Sequence, residues 1–294
     1  MAHRAGTAVI VGRPNVGKST LLNALIGQKV AIVTPRPQTT RTRIVGIRTL
    51  PDAQLVLVDT PGLHQARSLL NRRMVDVARS TLADADVAIL VLDASTPLGA
   101  GDRAIIEGLR ATKAPTVVVL NKIDRIAKSK LLPLMAEMGR LLPGVELVPA
   151  SAKTGGELDT VLAVVTRMLP EGPRLYPEAE FTTETERQLV QELVREQIFL
   201  ATRDEVPYGV AVLLEEFTEK PDKQLTVVSA TILVDRENHK PIVLGTRGER
   251  IKAIGTTARQ EIEALLGTKV FLELFVRVEP GWSESPRRLS ELGL

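Results

Sequence analysis

The 294-residue chain contains no cysteine, which removes disulfides, thiol nucleophiles and thiolate metal sites from consideration. Histidine is scarce too: His3, His64 and His239 are scattered and form no metal-ligand spacing, and His64 reads as a solvated loop residue. One Trp, two Tyr and five Phe are too few for base stacking on exposed rings to be the expected main mode of nucleic-acid binding. No apolar run is long enough to span a membrane, and Met1–Gly6 lacks the apolar core of a signal peptide, so a cytosolic protein is expected. A large net charge is also missing, since 38 Lys+Arg against 35 Asp+Glu leave +3. What the chain does have is length enough for two domains, each able to bury its own core.

Gly12-Arg13-Pro14-Asn15-Val16-Gly17-Lys18-Ser19 follows the apolar run Ala8–Val11 and opens a helical pattern with Leu21, Leu22 and Leu25. This is the spacing of a phosphate cradle. The two glycines let backbone N–H groups turn inward, and the helix start adds its positive dipole end. Lys18 then reaches the β and γ phosphates of a nucleoside triphosphate, and the Ser19 hydroxyl, followed by Thr20, ligates Mg²⁺. Asn121-Lys122-Ile123-Asp124, after the apolar Thr116–Leu120, identifies the base. The Asp124 carboxylate accepts from N1–H and the exocyclic amine of guanine, whereas adenine would leave it unpaired. Lys122 is assigned to the base face and Asn121 to a tie with the phosphate loop.

Asp59-Thr60-Pro61-Gly62 ends the strand-like Gln54–Val58. Asp59 is placed to hold Mg²⁺ through a water, and the Gly62 N–H to sense the γ phosphate, so that hydrolysis releases the segment beyond it. Ser151-Ala152-Lys153 follows Val145–Pro149, with the Ala152 N–H expected at guanine O6.

Apolar runs at Thr7–Val11, Arg43–Leu50, Gln54–Val58, Val87–Leu92, Thr116–Leu120 and Glu146–Val148 alternate with helical patterns. That alternation implies a mostly parallel, doubly wound α/β sheet, with the second and third strands antiparallel across Pro51-Asp52-Ala53. Pro170-Glu171-Gly172-Pro173 and Tyr176-Pro177 mark a break, giving a first domain at 1–171, a linker at 172–180 and a second domain at 181–294. The second domain reads as a helix over Glu184–Ala201, strands at Gly209–Leu214 and Leu225–Val234 parted by a polar segment Glu215–Lys223, the loop Gly245-Thr246-Arg247-Gly248, a helix with Ile251, Ile254, Ala258, Ile262 and Leu265 on one face, a strand Lys269–Val278 and a polar tail. Glycines at both ends of that loop leave room for a nucleic-acid backbone to lie against it, and a plain turn into the following helix is the alternative reading.

Charge is divided unevenly. Residues 1–172 hold 22 Lys+Arg against 14 Asp+Glu, net +8, and the remainder 16 against 21, net −5. Attraction for phosphate in the second domain must therefore come from the local stripe Arg236, Lys240, Arg247, Arg250, Lys252 and Arg259.

These motifs, in this order, resemble the P-loop GTPases of the bacterial translation-linked branch. Within it, Pro37-Gln38-Thr39-Thr40-Arg41, Asp204–Tyr208 and Gly281-Trp282 are similar to the Era family, and the resemblance covers essentially the whole chain. It implies a GTPase domain followed by an α+β KH domain of the bacterial, type II form, with GTP or GDP and Mg²⁺ as ligands and slow intrinsic hydrolysis. Thr40 becomes the switch residue that completes the Mg²⁺ shell, with Ser19 and Asp59, and Lys18, Gly62 and Asn15 join it in the hydrolytic machinery. Leu63 stands where Ras-type enzymes carry a water-orienting glutamine, and K⁺ held partly by Asn15 is the implied replacement. Gly245, Thr246, Arg247, Gly248, Arg250 and Lys252 become the RNA contacts. The implied partner is small-subunit (16S) ribosomal RNA near its 3′ end, with a role in small-subunit maturation. A cytoplasmic monomer is implied, with peripheral contact to the inner membrane left open.

Four rivals are weighed against that reading. In the first, the second domain docks protein or membrane and GTP serves as a regulatory ligand. A tRNA-modifying relative would need a C-terminal cysteine, and a paired-GTPase relative a second phosphate loop; both are absent. An ATP-dependent kinase would reduce Asp124 to a surface turn.

Overall fold

A computed structural model describes residues 2–62 and 68–294. The chain divides at Thr183/Glu184 into two compact units, apart from a short piece ending at Leu70 that groups with the second.

The first unit runs β1 (Arg4–Val11), α1 (Lys18–Ile26), β2 (Ile44–Thr49), β3 (Ala53–Asp59), α2 (Leu69–Ala83), β4 (Val87–Asp93), α3 (Ala100–Arg110), β5 (Thr116–Asn121), α4 (Leu131–Leu141), β6 (Glu146–Pro149) and α5 (Leu158–Met168). Its six strands form one sheet in the order β2-β3-β1-β4-β5-β6, all parallel except β2 against β3. The doubly wound sheet read from the sequence is the one observed. Alternation along β1 shows why both faces need helices: Ala8 and Ile10 enter a core with Leu21 and Leu25 of α1 and Val161 and Val165 of α5. Val9 and Val11 enter the opposite core with Ile105 and Leu109 of α3 and Met138 of α4. With both faces covered, the central strands become the near-continuous apolar runs seen in the sequence.

The segment expected as a linker is fastened to this unit. Gln54, fully buried on β3, accepts from the Leu175 and Tyr176 N–H groups at 2.7 and 2.9 Å and donates to the Tyr176 carbonyl at 2.9 Å. Phe181 and Thr182 lie along β2, where the Ile47 N–H donates to the Phe181 carbonyl and the Thr182 hydroxyl donates to the Val45 carbonyl. A buried glutamine that fills its amide with backbone groups is a reason for a proline-rich stretch to hold one path.

The second unit runs α6 (Glu186–Ala201), β7 (Val210–Lys220), β8 (Leu225–Val234), α7 (His239–Leu244), α8 (Glu249–Leu266), β9 (Lys269–Val278) and α9 (Pro286–Glu291). Its sheet has the order β7-β8-β9, with β7 antiparallel and β9 parallel to β8. Helix α6 lies over β7, and α7 and α8 lie over β9.

Three details depart from the sequence reading. Strand β7 continues through Glu215–Lys220, because a bulge between Leu214 and Glu216 resets the register so that Phe217 still faces the core. A six-residue helix, α7, precedes the glycine loop where no element was read; its Pro241 lies in the first turn, where no N–H is required. The polar tail carries α9 and a buried Trp282, whose Nε1–H donates to the Gly209 carbonyl at 3.1 Å. Among the described residues no helix is long and apolar enough to cross a membrane.

Candidate nucleotide and nucleic-acid sites

Four expected ligand loops of the first unit leave the C-terminal end of a strand, the phosphate loop after β1, Asp59 at the end of β3, Asn121 at the end of β5 and Ser151 beyond β6, whereas the segment carrying Thr40 runs from α1 into β2. Glycine is required where these loops touch. A Cβ on Gly17, at φ +100°, would stand 2.3 Å from Asn121 Nδ2, and one on Gly62 would stand 2.8 Å from the Pro14 backbone nitrogen. Asn121 cannot yield, being buried and bonded on both sides: Nδ2 donates to the Val16 carbonyl and Oδ1 accepts from the Ala152 N–H, each at 2.9 Å. One side chain thus ties the phosphate loop to both base-side loops. The Ala152 N–H, expected at guanine O6, makes this tie.

Ser19, Thr40 and Asp59 converge. The Ser19 hydroxyl donates to Asp59 Oδ2 at 2.5 Å, the Thr40 hydroxyl to the same oxygen at 3.1 Å, and the two hydroxyls lie 2.9 Å apart. Thr39 faces elsewhere, its hydroxyl bonded to Thr34 and to the Arg36 carbonyl. Asp59 Oδ1 is buried and finds no hydrogen-bond partner among the described residues. Burial pushes the Asp59 carboxyl above the usual carboxylate range, against the pull of Lys18 and of the two hydroxyls. Burial also pushes the Lys18 ammonium below its usual value, with Asp59 pulling it back. Lys18 Nζ meanwhile donates to the carbonyls of Gly12 and Arg13 at 3.3 and 3.1 Å. A buried carboxylate oxygen without a donor, beside two hydroxyls and an under-solvated ammonium, fits a hard divalent cation and a polyanion arriving together.

At the base side, the Ser151 hydroxyl donates to Asp124 Oδ1 at 2.6 Å and holds that exposed carboxyl below the usual range. Lys122 is drawn across the phosphate loop: its ammonium bonds Asp93 Oδ2 at 2.7 Å and the Asn15 carbonyl at 2.5 Å. Burial raises the Asp93 carboxyl, but the hydrogen bonds from Lys122 and Ser95 outweigh it and leave the group low. Asn15 is in the left-handed region at φ +64°, and its amide donates to the Pro35 carbonyl at 3.0 Å.

Arg13 of the phosphate cradle also has a side-chain partner outside the loop. Its Nε–H donates to Asp102 Oδ1 at 2.7 Å, while Asp102 Oδ2, on a side chain 1 % exposed, accepts the Gly99 N–H at 2.8 Å. Gly101 leaves the space: a Cβ there would lie 2.9 Å from Arg13 Cδ. Arg13 therefore fastens the phosphate loop to the start of α3, and its Nε–H is engaged on that side. Asp102 and Asp93 were invisible in the sequence because each pairs with a motif residue tens of positions away. Thr20, Pro14 and Gly62 line the same cleft as Lys18 and Ser19, together with Thr34, Arg36 and Gln38 of the switch segment. Thr60 is buried and donates to the Ile10 carbonyl. Lys153 is exposed. Leu63 and His64 lie outside the described residues.

In the second unit, Gly245, Arg247 and Gly248 have φ of +73°, +52° and +79°. A Cβ at Gly245 would stand 2.9 Å from the Arg250 backbone nitrogen, so the turn closes only with glycine. Thr246, Arg247 and Lys252 are exposed around it, while the Arg250 guanidinium is tied back to the Ile242 carbonyl. At the start of α7, buried His239 places Nδ1 2.8 Å from Asp235 Oδ1, and Asp235 abuts Gly209, where a Cβ would stand 2.2 Å from the same oxygen.

Residues 7–122 match the family described as 50S ribosome-binding GTPase, and residues 205–283 match the KH domain. GTPase Era of Geotalea daltonii is 48 % identical over 289 residues, covering 98 % of this chain and 97 % of that protein. GTPase Era of Mycobacterium avium is 45 % identical over 294 residues, covering 99 % and 98 %. Among solved structures, a single-residue variant of Aquifex aeolicus Era bound to GDP·AlF4⁻ aligns with a TM-score of 0.96 at 40 % identity over 99 % of each chain. Era in complex with MgGDPNP and nucleotides 1506–1542 of 16S ribosomal RNA aligns with the same score, identity and coverage.

Proposed function

The chain belongs to the Era family of GTPases, and from that premise we propose that its GTP cycle controls how tightly the KH domain holds small-subunit ribosomal RNA near the 3′ end during subunit maturation. The observation that carries this reading is one chain holding both a phosphate cradle beside the Ser151-held Asp124 and a glycine-closed loop flanked by exposed Arg247 and Lys252. The likeness to a relative solved with Mg-nucleotide and 16S RNA over 99 % of both chains supports the target.

In the proposed mechanism Lys18 leaves the Gly12 and Arg13 carbonyls for the β and γ oxygens, exchanging two weak neutral acceptors for two charged ones. Asp124 selects guanine, the Lys122 stem packs on the base, and Ser151 and Asn121 keep the base loops in place. The Gly62 N–H, pressed on Pro14, reads the γ phosphate. Ser19 and Thr40, with Asp59 through a water, would hold Mg²⁺. When bound, Mg²⁺ supplies charge neutralisation at the β and γ phosphates. Asn15, whose amide already meets the Pro35 carbonyl of the switch segment, is the proposed protein ligand for K⁺. When bound, K⁺ supplies positive charge to the transferring group. GTP turnover several-fold faster in KCl than in NaCl, lost in Asn15→Ala, is expected; equal rates in both salts remove this part of the reading.

The switch itself is tested by measuring affinity for 16S 3′-end RNA with a GTP analogue and with GDP. Tighter binding with the analogue is expected, and by linkage RNA must raise affinity for the analogue by the same factor. Equal RNA affinities overturn the switch. The protein is proposed to act as a cytoplasmic monomer, which sedimentation of the RNA-free chain checks.

A further inference from the structure

Of the eight aromatic side chains, only Phe271 and Phe275 are mostly exposed, at 52 % and 55 %, and both lie on β9; the rest are buried or half-buried. They share a face. Successive strand residues alternate, so Val270, Leu272, Leu274, Val276 and Val278 turn to the core beneath α7 and α8. Lys269, Phe271, Glu273, Phe275 and Arg277 form the outward row. Leaving two phenyl rings half in water forgoes hydrophobic stabilisation that polar residues at the same positions would not have sacrificed.

Resting on the RNA-binding reading above, we propose that this outward face of β9 is a second nucleic-acid subsite, where Phe271 and Phe275 each stack one base of a single strand already gripped at the glycine loop. Four residues of strand separate the rings by about 13 Å, the reach of about two nucleotides, so one unstacked base lies between them. A cation closes each end of the row. Lys269 has a side chain 81 % exposed and only a 3.8 Å pairing with Glu263; Arg277 is 50 % exposed and 3.5 Å from Glu279. Both can turn to phosphates. Glu273, between the rings, repels phosphate and accepts hydrogen bonds, which favours a middle base with an exocyclic amine over uracil. The floor is firm: Phe271 and Phe275 sit in register with Val227 and Thr231 of β8. Continuity with the loop follows from topology. Helices α7 and α8, which flank the loop, lie over β9, and β9 is the edge strand, so a single strand leaving the loop reaches the outward face by crossing one free edge.

The test is equilibrium binding of fluorescein-labelled oligocytidylate of four and of twelve residues to the full chain loaded with a GTP analogue and Mg²⁺. The tetramer is long enough for the loop alone. In Phe271→Ala and Phe275→Ala the dodecamer is expected to weaken about fivefold or more, with the tetramer unchanged. Phe275→Trp should restore or tighten dodecamer binding, and oligouridylate of twelve residues should bind the parent chain more weakly. Unchanged dodecamer affinity in both alanine variants overturns the subsite, as does an equal loss with both lengths. Parent chain that self-associates in sedimentation equilibrium, with association abolished by both alanine variants, also overturns it in favour of contact between copies. Arg247→Asp separates the two readings. Loss of both probes there, with the phenylalanine variants inert, keeps RNA binding and sinks the subsite; failure of the parent to bind either probe sinks both.

Discussion

The two units solve opposite recognition problems, and their sites differ accordingly. In the first, the groups that face phosphate and cation are hidden, Lys18 being 6 % exposed and Asp59 0 %, and the exposed base-selecting Asp124 is held in place by Ser151. In the second, Thr246, Arg247 and Lys252 stand in water, and backbone twisted into the left-handed region shapes the turn. A small polyanion with a fixed hydrogen-bond pattern rewards desolvated, preorganised partners, because leaving one unmatched is costly. A flexible polymer instead needs close backbone approach and mobile cations, at the expense of sensitivity to salt. Selectivity is therefore expected to reside in the carboxylate pairing of Asp124 in the first unit and in main-chain shape in the second.

The sharpest break in that contrast is Asp124→Asn. An amide cannot accept from both N1–H and the exocyclic amine of guanine, so GDP affinity should fall by about 10⁴ while xanthosine diphosphate improves. RNA binding measured without nucleotide should not change. Isothermal titration with the two diphosphates checks it, and a loss below tenfold would make Asp124 a surface turn.

Next comes Gly245→Ala, the counterpart in the second unit. Both the positive φ and a Cβ 2.9 Å from the Arg250 backbone forbid the parent conformation. Strain of this kind costs about 1–3 kcal/mol, so the loop should reshape and RNA affinity fall about 10- to 100-fold with GDP affinity intact. Filter binding of a 16S 3′-end fragment reads this directly. Retained affinity would mean the loop is a turn rather than a clamp.

The contrast also explains which parts were legible in the sequence. The phosphate cradle, Asp59, Asn121-Lys122-Ile123-Asp124 and the glycine loop could be read because each chemistry restricts residue type over a short stretch. The alternating apolar runs yielded the six-stranded sheet because strands covered on both faces have little choice but Val, Ile and Leu. The supports were not legible, since their partners are remote: Asp102 meets Arg13 across 89 positions, and Trp282 meets the Gly209 carbonyl across 73. Nor was β7 beyond Leu214, whose outward residues are Glu, Thr and Lys; only the bulge reveals that Phe217 returns to the core. Helix α7 was missed because six residues hold too few turns for a period to show.

Asp102→Ala tests one of those remote supports. It removes the partner of a phosphate-loop arginine and the acceptor for the Gly99 N–H at the start of α3. Loss of such a cap costs about 1 kcal/mol, and a loosened loop should weaken GDP binding by about tenfold. Asp102→Asn, which keeps an acceptor for Gly99, should recover part of the stability and little of the affinity. If both variants bind GDP as the parent does, Arg13 contributes nothing through α3.

The smallest expected effect is Ser151→Ala, and its pH profile carries the information. The Ser151 hydroxyl holds the Asp124 carboxyl below its usual value, so guanine pairing is complete above that value and is lost only as pH falls through the depressed pKa of the folded chain. Deleting the hydroxyl lets the pKa rise toward the ordinary carboxylate value of about 3.9, and at pH 7.5 the group is ionised in both chains. Affinity there should drop only about two- to threefold, from lost orientation of an exposed carboxylate. Toward pH 4.5 the variant should lose GDP affinity earlier than the parent. Parallel profiles across that range would mean the hydroxyl orients the loop without tuning its charge, and would narrow the first unit's selectivity to the shape of the pocket around Asp124.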